Sequence, residues 1–300
     1  MSTQDTTSST PADPRSGAAP RPGSHGTRLG GNEPTEMGLV DPAWTRLAVA
    51  GVVPLLLAVS AALPSWTRLL VVVLLIPLVA QGWPALVRSQ HDQGSTAVVA
   101  LTGLISAVAV SLREDFGSAG VVMAFSVLAA FVAQMLRRDG REGLVEDLSA
   151  TVTGCLIVVS GAGWCALERG LADPAVAVPC ALALFTGALL TVLEVRATVL
   201  EALTMTVPAL VAGVAGGALA AVGFFGPSHV GPVASLQSAA ACLVVGFVAG
   251  VLMAAANRVL WTHRWVPGGR AAVASAIVPI LALGAPVYAI ARLMGAFVAG

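Results

Sequence analysis

Residues 69–87 read LLVVVLLIPLVAQGWPALV, an apolar stretch without a charged side chain. A helix needs about 20 mostly apolar residues to cross the hydrocarbon core of a bilayer, and only helices or closed barrels can pair all their backbone groups there. The stretch therefore predicts a transmembrane helix. The composition of the whole chain agrees, because 56% of its 300 residues are hydrophobic, 11% are charged and the mean hydropathy is +0.85.

Nine such apolar stretches occur along the chain. They run from Trp44 to Leu63, Leu69 to Val87, Ser95 to Leu112, Gly120 to Leu136, Ser149 to Leu167, Ala175 to Leu193, Leu203 to Phe225, Leu236 to Val259 and Ala271 to Phe297. We therefore predict an all-α, polytopic membrane bundle of about nine transmembrane helices over residues 44–300. The short turn at Pro64 predicts that the first two helices form a tight antiparallel hairpin.

Residues 1–43 differ in composition, being rich in Ser, Thr, Pro and Gly. Such a segment contains too few large apolar groups to offset the entropy of ordering, so we predict a disordered tail. The first apolar stretch begins near Trp44, which is too late for a secretory signal peptide.

Arginine placement predicts the orientation, because cytoplasmic loops retain basic residues. All 16 basic residues are arginines, and an N-terminus in the cytoplasm puts twelve of them on the cytoplasmic side. The densest group is Arg137, Arg138 and Arg141, in a loop where seven of the eleven residues 137–147 are charged. We predict that these three arginines determine topology; the alternative is that they hold a substrate phosphate. The predicted location is the cell membrane, with the N-terminus inside and the C-terminus outside.

The tryptophans give a second indication of the span ends. Trp44, Trp66, Trp83, Trp164, Trp261 and Trp265 all lie at or beside the predicted ends, where an aromatic belt is expected.

The predicted spans carry little reactive chemistry. No Asp, Glu, Arg or His lies near the middle of an apolar stretch, although ion-coupled carriers usually place such groups there. The cysteines lack metal or redox spacing, so we predict that they are small buried hydrophobic residues: Cys155, Cys165, Cys180 and Cys242. Neither a cofactor nor a metal site is indicated, and the net charge of zero indicates no nucleic-acid partner. The lipid bilayer is the expected surrounding.

Paired glycines predict close helix packing. Gly213 and Gly217 form one G-x-x-x-G pattern, and Gly246 and Gly250 form another. These faces would also suit a homo- or hetero-oligomer. Prolines inside several stretches predict kinked helices.

The second half of the chain resembles a known family. The stretch REGLVEDLSATVTGCLIVVSG, GVLMAAANR at 250–258 and PGGRAAVASAIVP at 267–279 are similar in layout to the phosphatidate cytidylyltransferases, membrane enzymes that make CDP-diacylglycerol. The similarity covers roughly Gly82 to the C-terminus and rests on span order, Gly and Pro positions and loop placement.

The residues that carry the family's chemistry differ in this chain. Aligning Gly250 with the glycine of the family's G-D-L-x-E-S-x-x-K-R segment keeps Leu252 and Arg258 but places Val251 and Ala254 at the acidic positions. The family's H-G-G-x-x-D-R-x-D segment falls on 267–275, where Gly268 and Gly269 remain. The D-R-x-D groups are replaced there by Ala272, Val273 and Ser275. Nucleotidyl transfer needs carboxylates to hold Mg²⁺. The resemblance therefore implies a degenerate relative without cytidylyltransferase activity.

Three classes of function remain open. A non-catalytic accessory or scaffold membrane protein is the favoured function, because it fits the lack of reactive groups in the predicted spans and the paired glycines. A permease for a small neutral or weakly polar solute is the alternative, and it fits the kinked helices. An enzyme would have to work with loop residues such as Arg137, Asp139 and Glu142, and ranks last. A wet cavity at mid-membrane depth, ringed by Thr, Ser and Gln side chains, would favour the permease, whereas a dry, Ala-filled interior would favour the scaffold.

The arginine distribution gives a topological prediction. Reporter domains fused at Gly140 and after Gly300 should report opposite sides of the membrane, with Gly140 in the cytoplasm. Paired cytoplasmic and periplasmic reporters at each site provide the measurement. Finding both sites on one side would contradict the nine-span topology.

Overall fold

The computed structural model describes residues 39–40, 43–88, 92–113, 115–136, 143–167, 174–193, 195–224, 231–260 and 266–299. They belong to one compact unit, Met37–Gly300. In chain order the elements are β1 (Leu39–Val40), α1 (Ala43–Ala62), α2 (Ser65–Val87), α3 (Asp92–Arg113), α4 (Gly117–Met135), α5 (Leu144–Gly161), a 3-10 helix (Ala162–Ala166), α6 (Pro174–Thr191), α7 (Ala197–Ala221), α8 (Pro232–Leu260), β2 (Val266–Pro267), α9 (Gly268–Ala282) and α10 (Gly284–Ala299). Most of the predicted tail, and Arg137, Arg138 and Arg141, lie outside the described residues.

The predicted helical membrane fold is confirmed. Each of the nine apolar stretches coincides with helical structure, the last being divided into α9 and α10. Within the described chain, seven helical segments are long and apolar enough to cross a bilayer, with α9 and α10 counted as one segment. Two shorter apolar helices, Trp44–Ser60 and Val176–Leu190, accompany them.

A two-residue antiparallel pair of strands joins the segments that precede α1 and α9. Leu39 is opposite Pro267, and Val40 is opposite Val266. The composition places Leu39 and Val40 in the tail, whereas the structure pairs them with the bundle. The pairing brings the starts of α1 and α9 to the same side of the protein.

Helix α9 lies at the centre of the bundle. It is buried almost all round, from Ala271 to Leu281, as expected for a helix without a polar face. It packs against α1, α2, α5 and α8. Its many alanines permit close approach, and Gly82 of α2 lies directly against the backbone of Arg270.

The first two helices are joined by a short link, but each makes most of its packing contacts with other helices. Helix α1 packs chiefly on α6 and α9, while α2 packs on α3 and α9. Ala50 of α1 is buried in a cluster with Ala188 and Met253. The predicted hairpin is therefore not a principal packing unit, because both helices bury their apolar faces against the rest of the bundle.

The four tryptophans in the described residues divide into two groups, while Trp261 and Trp265 lie outside those residues. Trp44 and Trp66 are 71% and 62% exposed, as an interfacial belt requires. Trp83 and Trp164 are each only 3% exposed. The belt interpretation is wrong for these two, whose indole N–H groups instead donate to buried carbonyls.

Glycines form the contact between α7 and α8. An added Cβ at Gly246 would lie 2.5 Å from the Pro208 carbonyl oxygen and 2.6 Å from the Ala212 Cβ. Gly250 lies against the Thr204 carbonyl. In a regular helix the N–H of residue 208 would donate to this carbonyl, but Pro208 has no N–H. Gly217, the other end of the α7 pattern, faces the Ala239 Cβ. These glycine faces thus meet within one chain.

This contact predicts a difference between two Gly→Ala substitutions. Gly246→Ala should destabilise the protein by about 1–3 kcal/mol, because its methyl group would collide with the backbone of α7. Gly120→Ala is the matched control, since a Cβ there meets nothing within 4 Å and alanine favours a helix. Thermal unfolding in detergent would measure both. Equal midpoints for the two variants would contradict this account of the α7–α8 contact.

Candidate functional site

Buried hydroxyl groups form a polar line between α3, α4 and α5, here named the hydroxyl seam. It comprises Ser95, Thr102 and Ser106 of α3, Ser126 of α4, and Thr151 with the Cys155 thiol of α5. The three α3 residues share one helix face, because their spacings of seven and four residues correspond to whole turns. Hydroxyl groups are costly to bury without hydrogen bonds, so their concentration here calls for a physical explanation.

Contacts across the seam join α3 to α5. The Thr151 hydroxyl lies 3.0 Å from Ser95 Oγ and also 2.7 Å from the Asp147 carbonyl oxygen. One turn deeper, the Cys155 thiol donates to Thr102 Oγ1 at 3.7 Å. Thr102 lies near the middle of α3, so the polar line extends from one end of the bundle to mid-depth.

Ser106 extends the seam by one more turn. Its side chain is fully buried, and its Oγ has no hydrogen-bond partner within the described parts of the chain. The α3–α5 pairs at Ser95 with Thr151 and at Thr102 with Cys155 run in parallel along the two helices. Continuing this register by one turn places Ser106 near the level of Val159, within one turn of Gly161, where α5 ends.

At that level two interrupted helices cross, a feature here named the crossed break. Helix α5 changes to a 3-10 helix after Gly161, and the last span is interrupted at Leu283 between α9 and α10. Ser160 connects the two interruptions. Its hydroxyl donates to the Ala282 carbonyl at 2.7 Å and accepts from the Ala285 N–H at 3.2 Å.

Pro286 explains why the Ala282 carbonyl needs an external donor. In a continuous helix the N–H of residue 286 would donate to residue 282, but proline has no N–H. Ser160 supplies the missing hydrogen bond from another helix. This arrangement satisfies the rule that backbone groups at membrane depth must be paired.

Trp164 and two glycines complete the crossing. The Trp164 indole N–H donates to the Ile280 carbonyl at 3.0 Å. Gly163 and Gly284 are in close contact, since a Cβ on Gly163 would lie 2.5 Å from the Gly284 carbonyl group. Larger residues at either position would push the two segments apart.

Two buried arginines link helices near the ends of the bundle. Arg46 of α1 is 4% exposed, and its Nε donates to Ser275 Oγ of α9 at 3.2 Å. Arg68 of α2 is 4% exposed and donates from its guanidinium to the Leu167 carbonyl after the 3-10 helix. A cation at the carboxyl end of a helix is favourable for the unpaired carbonyls there. The sequence shows these residues only as contributions to the arginine distribution.

The prediction of buried cysteines is confirmed for three of the four. Cys155, Cys180 and Cys242 are buried free thiols, and Cys165 is half-buried and free. The described residues contain no group of three or more His, Cys, Asp or Glu side chains suited to a metal ion.

The positions that match the cytidylyltransferase segments lie inside the bundle. Ala254 of α8 is 3% exposed, Ala272 is 1% exposed and Ser275 is 2% exposed. The Ser275 hydroxyl donates to the Ala272 carbonyl at 2.8 Å and accepts from Arg46. Helices α8 and α9 pack against each other.

Sequence reasoning did not identify either part of the candidate site. The signal for the seam was the spacing of Ser95, Thr102 and Ser106 on one helix face. Isolated Ser and Thr residues also occur on exposed helix faces, as Thr206 does, so spacing within one helix is weak evidence. The signal for the crossed break was Gly161 with Gly163 in one stretch and Gly284 with Pro286 in another.

No protein-family model, curated protein sequence or solved structure matches this chain.

The crossed break predicts an unequal effect of two Ser→Ala substitutions in α5. Ser160→Ala should lower the free energy of unfolding by about 1–3 kcal/mol, because it leaves a part-buried carbonyl and a part-buried N–H unpaired. Ser149→Ala is the matched control, since its exposed hydroxyl bonds only the Glu146 carbonyl of its own helix. Thermal unfolding in detergent should separate the two variants. A Ser160→Ala protein as stable as Ser149→Ala would show that the bridge contributes little.

Proposed function

We propose that this membrane protein is a permease for a small, uncharged, polar solute. The observation that carries the proposal is the hydroxyl seam, which lines α3, α4 and α5 from one end of the bundle to mid-depth. Hydroxyl groups both donate and accept hydrogen bonds, so they can replace part of a solute's hydration shell. Most of the surrounding core consists of Ala, Val, Leu and Ile side chains.

The chemistry of the seam selects against charged solutes. Its members carry hydroxyl or thiol groups, and the buried carboxylate of Asp147 lies one turn before Thr151, in the first turn of α5 and away from mid-depth. An uncompensated charge at this depth is expensive. A neutral solute bearing hydroxyl or amide groups is the class that fits.

The crossed break supplies the movable element that transport needs. Many transporters place interrupted helices beside their substrate sites, where the two halves can shift relative to each other. Here the interruptions of α5 and α9–α10 lie beyond the end of the hydroxyl seam. The Ser160 bridge is made of single hydrogen bonds, and it can exchange for bonds to a solute or to water.

The seam is closed in this conformation. Ser95 and Thr151 are in direct contact, and Thr102 and Cys155 are in direct contact. Passage of a solute therefore requires α3 and α5 to separate, with the crossed break as the hinge. A single closed conformation is expected for one state of an alternating-access cycle.

An accessory or scaffold protein without catalytic activity is the alternative. Its support is that the seam hydroxyls make hydrogen bonds within the chain, as static contacts between helices do. The α7 and α8 glycine faces are occupied by each other, so an oligomer through them would have to open that contact. A negative transport result would favour this alternative.

The proposed cellular placement follows the arginine distribution: the cell membrane, with the N-terminus in the cytoplasm and the C-terminus outside. On this orientation Ser95 and Thr151 lie toward the cytoplasmic end.

We further propose that the bundle shares the helical frame of the phosphatidate cytidylyltransferases without their chemistry, given the uncharged Ala254, Ala272 and Ser275.

Solute flux into proteoliposomes tests the permease proposal. Purified protein in liposomes should accelerate the entry of glycerol, urea or acetamide over protein-free liposomes, measured by stopped-flow light scattering after an osmotic step. Thr102→Val removes one seam hydroxyl at nearly constant volume. It should slow the flux roughly 3- to 10-fold, because one hydrogen bond to the solute is lost.

Thr206→Val is the matched control. Thr206 lies on an exposed face of α7, and its hydroxyl bonds the Ala202 carbonyl of its own helix. Its replacement should leave the flux unchanged. Absence of flux for all three solutes, or equal slowing by both substitutions, would count against transport through the seam.

A further inference from the structure

We propose that Ser106 is the anchor of a binding site for a small uncharged molecule with hydroxyl or amide groups, at the inner end of the hydroxyl seam. The inference deepens the proposed function and rests on it for the identification of this molecule as the transported solute. The binding itself can be measured separately from transport.

The state of the Ser106 hydroxyl is the first observation. Its side chain is 0% exposed, and its oxygen has no hydrogen-bond partner among the described residues. A buried hydroxyl left in this condition destabilises a protein. Buried polar groups in native proteins are nearly always paired, so an unpaired one indicates a strained site or a bound partner.

Comparison with other buried hydroxyls strengthens this observation. Serine and threonine in helices commonly donate to the carbonyl three or four residues earlier. The other buried hydroxyls that do so are Ser60, Ser126, Thr151, Thr204 and Ser275. Ser106 does not make this bond, although α3 is continuous around it. Its hydroxyl is therefore available to a group outside its own helix.

The position of Ser106 determines what that group can be. Thr102 lies one helical turn earlier on the same face, so their Cβ atoms are about 5–6 Å apart. One hydroxyl or amide group between them can bond both side chains at ordinary distances of about 2.8 Å each. Thr102 in turn receives the Cys155 thiol, which fixes its oxygen in the seam. The two hydroxyls thus form a neutral pair that can donate and accept.

The surroundings limit the size of the molecule. Gly103, between the two hydroxyl residues, is already tightly enclosed, since an added Cβ would lie 2.7 Å from Ile76 Cγ2 and 2.9 Å from Val158 Cβ. A molecule held beside Ser106 is therefore limited to a few heavy atoms. Glycerol and acetamide represent this class and serve as probes.

The first measurement is the sign of the stability change in Ser106→Ala. In saturating glycerol or acetamide, Ser106→Ala should melt about 2–4 °C below the wild type, because the bound molecule stabilises only the protein that keeps the hydroxyl. If the hydroxyl faces only apolar atoms, its removal should leave the melting temperature unchanged or raise it. Ser149→Ala provides the matched control and should resemble the wild type.

The second measurement is the response to the probes. Glycerol and acetamide at increasing concentration should raise the melting temperature of wild-type protein and of Ser149→Ala by a saturable increment, which Ser106→Ala should lose. A lowered melting temperature in Ser106→Ala with no probe response would assign the position to a structural water and overturn the proposal. A melting temperature of Ser106→Ala equal to or above that of the wild type at saturating probe would also overturn it.

The two proposals fail in different ways. A probe response that depends on Ser106, together with no flux in liposomes, would retain the binding site and reject transport. Flux that is unchanged in Ser106→Ala, together with no probe response, would retain transport and reject this site.

Discussion

Pairing of backbone polar groups at membrane depth is the constraint on which this structure depends. Two of its helices are interrupted inside the bundle, and each interruption releases carbonyl and N–H groups that lipid cannot satisfy. The Ser160 hydroxyl serves both sides of the break at Leu283, and Trp164 serves a third backbone group. Because these bonds come from α5 and its 3-10 extension, the last span can be interrupted only while α5 remains beside it.

Small residues make this proximity possible. In a bilayer there is little hydrophobic drive for helices to associate, so close contact of backbones becomes the main source of attraction. Gly163 against Gly284 brings the two interruptions together, and Gly246 with Gly250 brings α8 against α7. The alanines of α9 allow it to be enclosed on every side. The same small side chains leave few groups capable of chemistry.

The charged and the neutral polar side chains of the interior lie at different depths. Fully charged side chains such as Arg46 and Arg68 lie near helix ends, where they link helices through Ser275 and the Leu167 carbonyl. The mid-depth groups are neutral hydroxyls and a thiol. A bundle of this kind is well suited to hold an uncharged polar molecule.

The sequence by itself determined the membrane class, the helical composition and the approximate helix positions, because a bilayer-spanning helix requires a long apolar stretch and each stretch is local. It also predicted the environment of the buried thiols. The candidate site depended on tertiary structure. Ser106 and Thr151 become functionally interesting only when α3 lies parallel to α5, and Ser160 only when it meets Ala282, 122 positions away in the chain. Trp83 and Trp164 were misplaced in the aromatic belt for the same reason. The sequence shows that a tryptophan lies near the end of a span. Only the packing of the helices decides whether a carbonyl on a neighbouring helix is close enough to accept its N–H.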